Sequence, residues 1–569
     1  MNIRSKYTLI SILTFVIILL FLGLFIYQKI KINFFITLLP PEVKIGQLLM
    51  IAPESTKFDD KLLKLIKEYH IGNIKIFGKN YKTKEELLEL IIKSQNNAIR
   101  YNKGIPMLIA TDQEGGWVAH LKENFTIPPS NMAIGLSKNK IYAYISGDII
   151  SSELSKIGIN VNFAPVVDLA LNKNSWVIGP RSYSDNPFIT TEMAKEFIRA
   201  SLKYNVLPVI KHYPGHGSLE KDSHNKFLVN NNSYEELIKT ELIPFLELSK
   251  NSEIGIMTAH IACPAIVKYI EKKEKKNYKN YYYLPATLSE IIVDKYLKKY
   301  NKSQALIFSD ELSMKSITSL MPLEKASLKA IESGVNIIVI NQNYDKIEKI
   351  AKYLLENYKK SKKFQEKVDK SVEKILQTKG MIFQTKLKLF SPYIFNLKKI
   401  QINRKDLNFI NNESNRYKAY LLSLETTEIY RNRKNLIPLI KSKINFTNDF
   451  IVLSDNKNLY YSIKKWTSKV TFYRLKNFKI KNFNSKKAII IYGIQRQKDL
   501  EILKDVYRVN SNIIVINFLH KINVEKLNYI DTIICTYSDN ILQIEAGVEI
   551  LFKGKPKVKN KLLQEYTIF

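Results

Sequence analysis

Eight short apolar runs constrain this chain more than any other feature. Each ends in polar or glycine-rich residues and is followed by a helical pattern. They lie at 45–53, 71–78, 107–116, 159–169, 206–217, 254–261, 304–312 and 335–342. Runs this uniformly apolar read as strands buried on both faces, and their alternation with helices predicts parallel β/α architecture. Eight units fit a closed (β/α)8 TIM-like barrel, expected over residues 40–390, better than an open sheet. Strand ends in such a barrel converge on one face, where chemistry is done. Asp112, Lys211, His212, His260 and Asp310 stand at these ends, so the pattern gathers them around one mouth although they are far apart in sequence.

Composition narrows the remaining classes. With 569 residues, 45% of them hydrophobic and 25% charged, the chain is neither fibrous nor mostly disordered. Cys263 and Cys535 cannot form a disulfide framework and lack the spacing of a zinc site. No glycine-rich phosphate loop occurs, and neither a metal nor an organic cofactor is expected. The net charge of +35 reflects a lysine-rich composition. It also suits a polyanionic partner such as an acidic wall polymer or a membrane surface.

The two ends of the chain differ from this middle. Thr8 to Tyr27 reads TLISILTFVIILLFLGLFIY, without a charge, and as a helix it would span roughly 30 Å. Arg4 and Lys6 precede it, and no Ala-x-Ala-like cleavage site follows. Residues 1–35 are therefore expected to form an uncleaved transmembrane signal-anchor, leaving the catalytic domain at the periplasm or cell surface. After Lys386 the sequence becomes more basic, with strand-like runs at 449–455, 487–494, 512–519 and 532–539. Residues 391–569 are expected to form a smaller α/β sandwich-like domain. It carries no His–Asp–Glu constellation, so it reads as a packing domain beside the mouth, or as a binder of anionic wall polymer. Nucleic acid is not an expected partner, because no recognition motif is present.

Two local signals carry chemistry. The first is Lys211-His212-Tyr213-Pro214-Gly215-His216-Gly217, followed by Asp222-Ser223-His224. Glycines flanking a histidine describe a loop. Asp222, two residues from His224, can turn back and orient its imidazole, as a triad aspartate does. Metal binding is the competing use of such a cluster. Against it, the acids and histidines do not fall at helix spacing. The second signal is Ile307-Phe308-Ser309-Asp310-Glu311-Leu312-Ser313-Met314. Adjacent carboxylates leave a strand in opposite directions, so only one of Asp310 and Glu311 can face a substrate. A helix N-cap is the competing use of Asp310.

The motifs DQEGG (112–116), FTIPPSNMAIG (125–135), NFAPVVDL (162–169), GPRSYSDNP (179–187), KHYPGHG (211–217), DSH (222–224), TAH (258–260) and FSDELSM (308–314) occur in an order that resembles glycoside hydrolase family 3, in its β-N-acetylglucosaminidase branch. The resemblance covers about residues 45 to 345. It implies a retaining mechanism with Asp310 as nucleophile and His224, oriented by Asp222, as general acid/base. It also implies that Asp112, Arg181, Lys211 and His212 hold sugar hydroxyls. Those roles make chemical sense. One group must be ionised to attack while another donates a proton, and a histidine with a pKa near 6.5 does the latter without repelling the nucleophile as a second carboxylate would. The chain departs from the family pattern at Trp117 and His120, where arginines are usual, at Glu311, where a second Asp is usual, and at Asn336, where Asp is common. An indole at 117 could stack on a sugar. The expectation is an exo-acting β-N-acetylglucosaminidase acting on peptidoglycan fragments or chito-oligosaccharides. The alternatives are a β-glucosidase, a broad β-hexosaminidase, or a non-catalytic wall-binding protein.

Overall fold

The computed structural model describes residues 14–15, 34–172, 175, 177–219, 227–383, 404–441, 449–478, 480, 488–520 and 522–558. Eight parallel strands close into a barrel: β1 (Leu49–Ile51), β2 (Asn73–Lys75), β3 (Leu108–Thr111), β4 (Val161–Asn162), β5 (Leu207–Tyr213), β6 (Gly255–Thr258), β7 (Leu306–Glu311) and β8 (Ile337–Ile340). Neighbours follow chain order, and β1 closes the ring by pairing with both β2 and β8. All eight runs read from the sequence are barrel strands. Several helices between them start on side-chain caps that satisfy orphan backbone N–H groups, such as Thr83 Oγ1 before Lys84–Tyr101 and Asp59 before Asp60–Glu68. Ladder irregularities fall between Ile210 and Tyr213 of β5 and between Phe308 and Glu311 of β7. Both are at the mouth, where such breaks re-aim side chains.

The second domain is a six-stranded sheet in the order β9-β14-β13-β12-β10-β11. Its strands are β9 (Glu428–Asn432), β10 (Phe450–Leu453), β11 (Val470–Tyr473), β12 (Ile489–Ile494), β13 (Ile513–Asn517) and β14 (Thr532–Cys535). β9 is the antiparallel edge, and the other pairings are parallel. The two domains share core. Ile134, Tyr142, Ile145 and Tyr183 of the barrel unit pack with Leu422, Ile491, Ile516 and Phe552, while Met132 and Ala133 pack with Leu453, Tyr492 and Tyr537. Burial of this contiguous apolar surface fixes the second domain against the first.

The expected fold needs one correction. No helix among the described residues is long and apolar enough to cross a membrane. The segment Thr8 to Tyr27, on which the transmembrane expectation rested, lies outside the described residues except for Thr14 and Phe15.

Candidate active site

The mouth is built on a buried ion network. Asp112, one residue beyond β3, receives Lys211 Nζ of β5 on Oδ1 at 2.6 Å and Lys75 Nζ of β2 on Oδ2 at 2.7 Å. His120 Nε2 stands 3.3 Å from the same Oδ2. Lys211 also reaches Glu114 Oε1 at 2.7 Å, and Glu114 takes Arg181 as a fork, Nε to Oε2 at 2.9 Å and Nη2 to Oε1 at 2.8 Å. Two carboxylates thus meet three cations, each carboxylate bridged to the other through Lys211. Burial works against ionisation of Asp112, but Lys211 and Lys75 hold its carboxyl well below the usual range. Burial likewise opposes the charge on Glu114, and Arg181 and Lys211 overcome it. Burial would discharge Lys211, yet Asp112 and Glu114 raise its pKa. The hairpin that delivers Asp112 and Glu114 turns through Gly116, at φ +57°, where a Cβ would stand 2.5 Å from Ser130.

A second buried carboxylate, Asp168, organises the loop after β5. Its Oδ2 accepts from His212 N at 3.0 Å and lies 2.6 Å from His212 Nδ1, while its Oδ1 accepts from His216 N at 2.8 Å. One aspartate therefore fixes both the ring of His212 and the start of the glycine-rich turn. Burial disfavours its charge, but His212 keeps its pKa low. His216 is 2% exposed, and burial lowers its pKa. Downstream, buried Glu241 accepts from Ser218 N at 3.1 Å and Asn230 Nδ2 at 2.9 Å.

The end of β7 supplies the third part. Phe308 packs edge-to-face on Phe163 inside the barrel, with ring centroids 5.5 Å apart, and Lys75 Nζ lies 5.1 Å from the Phe163 centroid. Asp310 lies two residues beyond Phe308 at the mouth end of β7, within the register shift between Phe308 and Glu311. Asp310 is half-buried, and its Oδ1 accepts from Glu311 N at 2.7 Å. Glu311 turns away to the β8 side, where Oε1 accepts from Ser313 N, Ser313 Oγ and Asn341 N at 3.0, 2.7 and 2.8 Å. Burial raises the pKa of Glu311. His260 braces the strand end, with Nδ1 3.0 Å from Thr287 Oγ1 and Nε2 2.9 Å from the Glu311 carbonyl.

Asp112, Arg181, Lys211, His212 and Asp310 are thus brought to one end of the barrel. Asp222 and His224 lie outside the described residues. Four residues were missed as site residues. Lys75 and Glu114 complete the ion network, Asp168 orients His212, and Glu311 is the locking partner of Asp310. Glu114, Asp168 and Glu311 sit at the polar end of an apolar run, which is the signal that could have found them, whereas Lys75 lies inside one, between Ile74 and Ile76. Trp117 is half-buried, and its Nε1 donates to the Phe518 carbonyl of the second domain at 3.0 Å, which ties the edge of the indole to that domain. Asn336 is at the other end of the barrel, where Oδ1 accepts from Ile307 N at the start of β7.

Comparison with known proteins matches residues 41–378 to the profile described as "Glycosyl hydrolase family 3 N terminal domain". The Beta-hexosaminidase A of Pseudoalteromonas piscicida is 32% identical over 347 residues, covering 59% of this chain and 57% of that protein. The chain thus spans little more than half the length of that relative. The Beta-hexosaminidase of Idiomarina loihiensis is 30% identical over 296 residues, covering 51% of this chain and 83% of that one. Among solved structures, a glycoside hydrolase family 3 β-N-acetylglucosaminidase from Paenibacillus sp. str. FPU-7 superposes with a TM-score of 0.75 at 23% identity. It covers 90% of this chain and 97% of that one, a likeness of fold across both domains.

Proposed function

The chain belongs to glycosyl hydrolase family 3, and from that premise we propose that it is an exo-acting, retaining β-N-acetylglucosaminidase. It removes terminal N-acetylglucosamine from peptidoglycan fragments or chito-oligosaccharides. The observation that carries this reading is the half-buried Asp310 carboxylate at the end of β7. It shares the mouth with the buried network in which Lys75, Lys211 and Arg181 meet Asp112 and Glu114.

In the proposed reaction Asp310 attacks the anomeric carbon, the glycosidic oxygen leaves with a proton, and water then cleaves the glycosyl ester. His224, oriented by Asp222, gives the proton and later takes one from water; this assignment rests on the DSH motif. Asp112, Lys211, Arg181 and His212 hold the sugar in place. Their network is preorganised, so little ordering is left for the moment of reaction. The basic second domain would keep the enzyme on anionic wall polymer, a reading supported by its charge.

The test is hydrolysis of a chromogenic N-acetyl-β-glucosaminide by the full-length protein, beside the matching β-glucoside and the Asp310→Ala variant. Release from the N-acetyl substrate, lost in the variant while its thermal unfolding is kept, is the expected result. Preference for the glucoside would overturn the sugar assignment. Equal activity in Asp310→Ala would overturn the nucleophile.

A further inference from the structure

A cavity of about 270 Å³ lies on the opposite face of the barrel from the mouth. Ala305 and Asn336, which immediately precede β7 and β8, line it. Ala305 stands five residues before Asp310, so roughly 16 Å of strand separates this cavity from the proposed nucleophile.

Its walls concentrate positive charge. Lys367, Lys370 and Lys374 recur at i, i+3 and i+7 along the helix Lys362–Ile382, which places them on one face. Lys298 faces them from the helix Ile291–Tyr300. Two carboxylates reach this group, and both are engaged by Lys367: Asp294 Oδ2 at 2.7 Å and Glu290 Oε1 at 3.1 Å. Lys298 Nζ donates to the Gly334 carbonyl at 2.5 Å and stands 4.0 Å from Asp294 Oδ1. Among the described residues, Lys370 and Lys374 form no ion pair, and burial lowers the Lys374 pKa against the opposing field of neighbouring Glu373. Burial lowers the Lys298 pKa to about 8, with repulsion from Lys367, Lys374 and Lys370 adding to it. Ser371 Oγ accepts from Asn336 Nδ2 at 3.2 Å, which leaves its own hydrogen to donate.

Four ammonium groups surround this small cavity and two carboxylates, Asp294 and Glu290, answer them, which leaves two positive charges that an added anion would balance. A singly charged carboxylate would answer one of them. A doubly charged tetrahedral oxyanion answers several at once, and lysine serves phosphate well as a point charge. We propose that this cavity binds a phosphate group, as orthophosphate or as a small phosphate ester, independently of the sugar site.

The test is thermal unfolding of the full-length protein against orthophosphate, with sodium chloride holding ionic strength constant, in wild type, Lys370→Ala and Lys370→Ala/Lys374→Ala. Both altered side chains are at least partly exposed, and the variants' own midpoints without phosphate report that they fold. Phosphate should raise the wild-type midpoint by linkage. The double variant should bind about tenfold more weakly or worse, and the single variant in between. Added N-acetylglucosamine should leave the phosphate response unchanged. A hexose phosphate binding more tightly than orthophosphate identifies an ester as the ligand; weaker binding identifies the free ion. Equal responses in wild type and both variants, a response that chloride reproduces, or displacement by N-acetylglucosamine would overturn the proposal.

Discussion

Replacing Glu114 by glutamine tests whether the ion network holds the mouth together. Glu114 is 1% exposed, and its two oxygens take three N–H donors, two from Arg181 and one from Lys211. The substitution keeps the shape and removes the negative charge, leaving a buried guanidinium without its carboxylate. Removing one partner of a buried pair costs about 3–5 kcal/mol. Lys211 keeps Asp112, and the amide oxygen can still accept one hydrogen bond, so about 3 kcal/mol is the expected loss. For a domain of this size that is a fall of about 4 °C in the unfolding midpoint. The pH dependence has a definite sign. The folded-state pKa of Glu114 is lowered from its ordinary 4.5, so its stabilisation is present above that pH and is lost as pH falls through the folded value. The gap between wild type and Glu114→Gln should therefore close on the acid side, where the wild-type side chain is protonated as well. Scanning calorimetry of both proteins from pH 3 to 7, with turnover at pH 7, reads all of this. Adding Arg181→Gln should cost less than the sum of the two single changes, because the stranded charge goes with it. Midpoints within 1 °C at pH 7, or a gap that persists unchanged to pH 3, would refute the reasoning.

Trp117→Phe removes the hydrogen bond to the Phe518 carbonyl and should cost about 1 kcal/mol of stability while leaving KM for a small chromogenic substrate unchanged. A large rise in KM would show instead that the indole touches sugar. Glu241 joins Ser218 to Asn230, the described flanks of the stretch that contains His224. Glu241→Ala is expected to lower kcat for an unactivated disaccharide about tenfold or more while changing KM little, as loss of proton-transfer geometry would. An equal fall on an activated aryl glycoside, whose departure needs little proton help, would count against that reading.

What was legible in the sequence follows from which side chains had to be uniform. Barrel strands are buried on both faces, so runs such as Leu108–Ala110 and Ile337–Ile340 are apolar without alternation and stand out. The two sheet strands that escaped notice, Glu428–Asn432 and Val470–Tyr473, are edge strands. They are half-exposed, and their sequences EIYRN and VTFY make no apolar run. The site divides in the same way. A polar residue interrupting an apolar run announces a strand end, which marks Asp112, Lys211 and Asp310. Which of those residues pair is decided across the barrel, by the ring that sets β2, β3 and β5 facing one another, and no local pattern carries that. Lys75 was inside a recognised run, yet nothing nearby in sequence shows that it meets Asp112. Arg181 was read as a sugar contact, but nothing near it in sequence shows that its guanidinium forks onto Glu114. The same geometry separates Asn336 from the mouth: it precedes β8, so in a parallel barrel it must lie at the end opposite to chemistry. Trp117 shows the limit most directly. Its partner is 401 residues away in another domain, so its role is fixed by how two folded units meet and not by the loop that carries it.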